Sequence, residues 1–162
     1  MGIAETIKDL IPEILQFWPE AKENLHIDAW RTVQKVDGQF ISIVQREENV
    51  SGNSQQLFFI NLGGYKPKEF EEFHYKVLVT APTKNEATKQ SKQTVFFKHT
   101  GFPGAVSHID DKYGLDVDDI FDIRDILSKQ ARNQYKILIH PAAGNFDEDE
   151  IHLGYFRLES FE

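Results

Sequence analysis

The sequence predicts an α+β fold of two related halves, each a mainly antiparallel sheet covered by one helix. Three observations carry that prediction. Apolar residues recur at helical spacing near the start of the chain and again after residue 83, and short alternating runs between and beyond them read as strands. The halves also echo each other. Leu25-His26-Ile27-Asp28-Ala29-Trp30 shares its centre with Val106-Ser107-His108-Ile109-Asp110-Asp111. Each copy follows a segment ending in paired aromatics (Phe17-Trp18, Phe96-Phe97) and precedes a Val-Asp pair (Val36-Asp37, Val117-Asp118). A shared tripeptide is a common accident; the shared order of features points to duplication.

A chain of 162 residues fits one domain or two small halves sharing a core. At that size about 70% of the unfolded surface should be buried, and a 40% hydrophobic content with 13 Phe can build the core. A formal charge of −8 gives the wrong sign for wrapping a phosphate backbone, so nucleic acid is disfavoured as a partner. The lack of cysteine excludes disulfides, thiol catalysis and thiolate metal sites, and fits a reducing compartment. Residues 1–6 lack the basic and apolar regions of a signal peptide, and no apolar run approaches the ~20 residues that cross a bilayer. A cytoplasmic protein without a membrane partner is expected.

In chain order, Ile3, Ile7, Leu10, Ile11, Ile14 and Trp18 line one face of a first helix. Thr6 with Asp9 resembles a capping box, and Pro12 should kink the helix unless it starts nearby. Burying that face offers at most ~9–18 kcal/mol before entropy. Residues 25–31 and 39–45 alternate as strands, with Val36-Asp37-Gly38 as the turn between them. Arg46 to Gln56 is polar and unpatterned, the expected linker. Leu57 to Leu62 reads as a central strand buried on both faces, ended by Gly63-Gly64, with 73–80 returning as the hairpin partner. Thr83-Lys84-Asn85-Glu86 is a capping box opening a second helix to about Lys98. A strand follows over 105–110. The Asp-rich stretch 116–127 reads as a short acidic helix or connector, with Asp118 and Asp119 at its start. Residues 135–140 and 150–158 read as a terminal hairpin.

The runs Leu57 to Tyr65, Glu69-Phe70-Glu71-Glu72-Phe73-His74-Tyr75, Lys98 to Phe102 and Ser107 to Gly114 resemble a bacterial family known as domain of unknown function 1543. The resemblance is specific over 57–127. It extends to residues 3–45, where Ile7 to Ile14, Phe17 to Ala21 and Leu25 to Arg31 look like the back half of a first copy. The resemblance implies that members carry one or two copies, and it implies no activity, cofactor or catalytic residue. On this reading residues 1–46 are a truncated first copy, 47–56 a linker, and 57–162 a second copy with the terminal hairpin, packed as one globular unit. The chain begins at the helix, so the first copy lacks the hairpin equivalent to 57–80, through a late start or a naturally short form. The lost strands leave an open sheet edge, covered by 135–158 or by a second chain; a homodimer through that gap is expected.

No motif names a reaction. His26 with Asp28 and His108 with Asp110 stand at i and i+2, on one face of a strand each, a pattern suited to acid–base work or a divalent metal. A structural hydrogen bond fixing strand register explains the same pairs, and no third ligand stands at metal spacing, so no metal ligand is assigned. Gly63, Gly64, Tyr65 and Lys66 could cradle an anion, but two glycines after a strand more often form a turn needing positive φ. His99 in its Lys-His-Thr-Gly-Phe loop, with His74, could join a binding surface; a solvated loop accounts for them equally well. The acidic run fails the calcium-loop pattern and reads as solvated surface. The expected function is therefore a non-enzymatic small-molecule-binding or protein-interaction module, homodimeric, with an unassigned cofactor. The alternative is a small-molecule enzyme using the His/Asp pairs.

Overall fold

The computed structural model describes residues 1–21, 24–50, 53–65, 68, 70–91, 93, 116–143 and 149–161. The architecture is α+β with antiparallel sheets, and the chain divides into two compact units. The first unit comprises Met1–Asn49 with Leu127–Glu162, the second Val50–Ile126. The last 36 residues, expected with the second copy, sit with the first.

In the first unit, a 3₁₀ turn at Ile7–Leu10 runs into helix α1, Ile11–Phe17. Pro12 lies in the first helical turn, where its missing N–H costs nothing, so it starts the helix instead of kinking it. The Thr6 N–H and hydroxyl both donate to Asp9 Oδ2, at 2.9 and 2.7 Å. The expected burial of the apolar face is corrected: neither segment has a fully buried residue. Phe17 is 89% exposed.

Strands β1 (His26–Trp30), β2 (Lys35–Val36) and β3 (Gln39–Gln45) follow. Asp37 and Gly38, at φ 51° and 74°, make the tight turn of the β2–β3 hairpin, whose twist requires positive φ at both positions. The turn therefore joins β2 to β3, not β1 to β3. Helix α4, Lys129–Gln134, leads into β7, Tyr135–Pro141, and β8 spans His152–Arg157. These last strands are not the expected hairpin. β7 pairs with the whole of β3, from Gln39↔Pro141 to Gln45↔Tyr135, and β8 pairs with β1. The apolar stripe of β7 matches that of β3, so Ile41 and Ile139 face each other and are buried. Within the first unit β3 thus lies between β2 and β7, with a ladder partner on each side.

In the second unit, β4 (Gln56–Tyr65) lies centrally between β5 (Glu72–Ala81) and β6 (Asp116–Asp122). Phe58, Ile60 and Leu62 point from β4 into a core with Val79, Ala81 and Ala87, the last on helix α2, Lys84–Ser91. Of the expected box, the capping leg forms: Glu86 N–H donates to Thr83 Oγ1 at 3.3 Å, and the Thr83 hydroxyl in turn donates to Glu86 Oε2 at 2.9 Å. The expected extension to Lys98 and the strand 105–110 lie outside the described residues.

Two further expectations are corrected here. Gly63-Gly64 do not end the strand or adopt positive φ, because β4 continues extended to Tyr65. The acidic stretch forms strand β6 and then a single turn, α3, at Ile123–Ile126. Pairing Ile120 with Ile60 of the buried central strand outweighs the low strand propensity of Asp, which an edge strand tolerates.

Candidate functional site

Two places gather the polar and aromatic side chains. On the first unit, His26, Asp28 and Trp30 share one face of β1. His26 Nε2 lies 3.1 Å from Asp28 Oδ1, as the i, i+2 spacing requires. Between Ile27↔Phe156 and Ala29↔Leu153 the register shifts, so Gly154 and Tyr155 together stand opposite Asp28. That bulge brings the Tyr155 ring over His26, stacked with centroids 4.1 Å apart. Directly opposite Trp30, His152 stacks on the indole at 3.9 Å. The Asp28 side chain is 81% exposed, so the dyad stands on an open ribbon and not in a cleft.

On the second unit, β4 carries Asn61 and Gly63 on the face opposite the core. Gly63 pairs with His74 on β5 and Gly64 with Phe73, while Tyr65 pairs with Glu72. On the other side of β4 the ladder slips: Asn61 faces Asp119 and Leu62 faces Val117, so Asp118 is an extra residue in β6. The bulge aims its carboxylate back across β4. Strands two places apart lie roughly 9–10 Å from each other, yet His74 Nδ1 and Asp118 Oδ2 are 3.0 Å apart. Gly63 makes this possible. A Cβ there would stand 2.6 Å from Asp118 Oδ2 and 2.9 Å from Oδ1. The other ring nitrogen, Nε2, is 4.0 Å from Glu72 Oε2, so the imidazole bridges two carboxylates. Asn61 donates to Asp118 Oδ2 through Nδ2 at 3.5 Å, a long contact, and its Oδ1 is buried without a partner among the described residues.

Of the residues singled out from sequence, Gly63 and His74 therefore meet, and His26 meets Asp28. Gly64 and Tyr65 lie on the same strand end. Lys66, His99, His108 and Asp110 lie outside the described residues. Sequence reasoning missed Asn61, Glu72 and Asp118. Asp118 was absorbed into a solvated acidic run; the local signal that could have separated it is Val117, which alternates with Asp118 as a strand would.

The family described as Domain of Unknown Function (DUF1543) matches residues 1–43. No curated protein matches the sequence. A solved structure, the crystal structure of a protein Il1583 from Idiomarina loihiensis, is similar at 16% identity over 96% of this chain and 80% of that one, with a TM-score of 0.49. Among the described residues no helix is long and apolar enough to cross a membrane.

Proposed function

We propose that this chain is a non-enzymatic interaction module of the cytoplasm whose first unit is completed by a second copy of the chain. The supporting observation is the group of exposed large apolar side chains on and beside β8 and at the end of α1. The second unit hides Phe58, Ile60, Leu62 and Val79 at 2% exposure or less. The first unit leaves Phe17, Trp18, Ile151, Leu153 and Tyr155 between 56% and 89% exposed. A two-stranded ribbon is marginal by itself, and β1–β8 is such a ribbon.

Among the described residues, β8 has a ladder partner on one side only. A copy of β8 laid antiparallel on that edge gives a four-stranded sheet with a twofold axis, the commonest oligomeric symmetry. Each large side chain covered would contribute about 1.5–3 kcal/mol before association costs. The proposed interface thus lies along β8.

The relatedness of the halves belongs to the same reading. In the second unit β6, which follows helix α2, returns antiparallel beside β4. In the first, β3, which follows α1, returns antiparallel beside β7.

A cysteine-free sequence makes the test direct. Single substitutions Ile151→Cys, Leu153→Cys and Tyr155→Cys should include at least one that cross-links two chains on mild oxidation, with Lys89→Cys on α2 as the control. Cross-linking no more efficient than the control at all three positions would refute the β8 interface. The enzyme alternative draws on the 3.1 Å His26–Asp28 contact. It requires a turnover that His26→Ala abolishes while the cross-link persists.

A further inference from the structure

We infer that the end of the second sheet binds a divalent first-row cation through Glu72, His74 and Asp118. One ligand atom from each of these residues lies within 4.8 Å of the other two. A cation bound by nitrogen and carboxylate oxygens at about 2.0–2.2 Å holds its ligands roughly 3–3.6 Å apart. The side chains of His74, Glu72 and Asp118 are 42%, 40% and 30% exposed, free enough to close that difference by rotation.

Three independent features favour a cation over a plain hydrogen bond. Two carboxylates flank the imidazole, 3.0 Å and 4.0 Å from its ring nitrogens, and bring to one place the negative charge and the nitrogen donor that a divalent cation takes. The strand geometry is built for the approach: the bulge at Asp118 and the missing side chain of Gly63 together open the space above β4. Beside it, Asn61 turns Nδ2 toward Asp118 and leaves its buried Oδ1 without a donor among the described residues; turning the amide over would present that oxygen as a fourth, neutral ligand. One imidazole with carboxylate and amide oxygens suits Zn²⁺ or Mn²⁺, and three charged or imidazole ligands leave coordination positions for water or a small anion. Sequence spacing concealed the set, because Asp118 is 44 residues from His74.

The test is calorimetric titration of the full chain, stripped with chelator, against ZnCl₂ and separately MnCl₂. The expected result is one saturable site per chain for at least one of the metals. Glu72→Gln and His74→Gln should each weaken it at least about tenfold, while His140→Gln on β7 of the first unit leaves it unchanged. Far-UV circular dichroism without metal checks that each variant is folded; should His74→Gln unfold, the exposed Glu72→Gln serves in its place. Absence of a saturable site for both metals, or equal affinity in the wild type and the folded variants, would overturn the assignment.

Discussion

Replacing Gly63 by alanine probes the second site without touching any of its polar groups. The added methyl would stand 2.6, 2.9 and 3.0 Å from Oδ2, Oδ1 and Cγ of Asp118, closer than side chains tolerate. Backbone movement is restricted, because β4 is the central strand and Gly63 stands in register with residues on both neighbouring strands. The carboxylate must therefore swing away from His74. The swing gives up the partly exposed His74–Asp118 contact, worth about 0.2–1 kcal/mol, and alanine recovers about 0.5–1 kcal/mol by restricting the unfolded chain. The net change expected is therefore within about 0.5 kcal/mol. In an Asp118→Ala background the clashing atoms are gone, so the same glycine change should stabilise by about 0.5–1 kcal/mol. The two substitutions should thus couple by about 0.5–1 kcal/mol in a double-mutant cycle. Native-state hydrogen exchange at the β4 amides reads the second unit directly. Additive effects, within about 0.3 kcal/mol, would show that Gly63 does not make room for Asp118.

Other outcomes follow from the same geometry. Ile60→Ala, at a side chain with 0% exposure in the centre of the second core, should cost about 3 kcal/mol or more in urea unfolding. Asp149 Oδ2 accepts from the Gln34 and Lys35 amides at 2.8 and 3.0 Å; Asp149→Ala should destabilise the first unit by about 1 kcal/mol and speed exchange of both amides. The Thr6 hydroxyl, and then its backbone N–H, hold the Asp9 carboxyl below its ordinary range. A lowered folded value means that the box supports the helix start above the ordinary carboxylate range and is lost as pH falls through the folded value. Carbon-detected titration should show Asp9 rising toward the ordinary value in Thr6→Ala; an identical titration curve in that variant would contradict the box.

Where local physics decides, the sequence was readable to the residue. Alternation alone placed β3 at 39–45, and the compact run at 57–62 marked the central strand. The Thr6–Asp9 box closes as its spacing requires, and Thr83 caps the Glu86 N–H at the start of α2. The failures are of another kind. Apolar periodicity in residues 3–18 says which side chains share a face, but not whether anything covers it, and in this fold nothing among the described residues buries it fully. The partners of β7 and β8 are set across the whole chain, by apolar stripes that match β3 and β1 better than each other. Gly63 read as a turn because glycine usually answers a conformational demand; here the demand is spatial, set by Asp118 from a strand more than fifty residues away. The second site was invisible for the same reason, since a bulge and a missing side chain have no signature until two strands are placed side by side.

The account rests most heavily on an incomplete first unit that a second copy covers along β8. Sedimentation equilibrium of the untagged wild-type chain, over micromolar concentrations, tests this directly. A mass twice that of the chain, falling to that of one chain in a Leu153→Asp, Tyr155→Asp double variant that keeps the fold of both units, is the predicted result. A single-chain mass for the wild type across the whole range would contradict it.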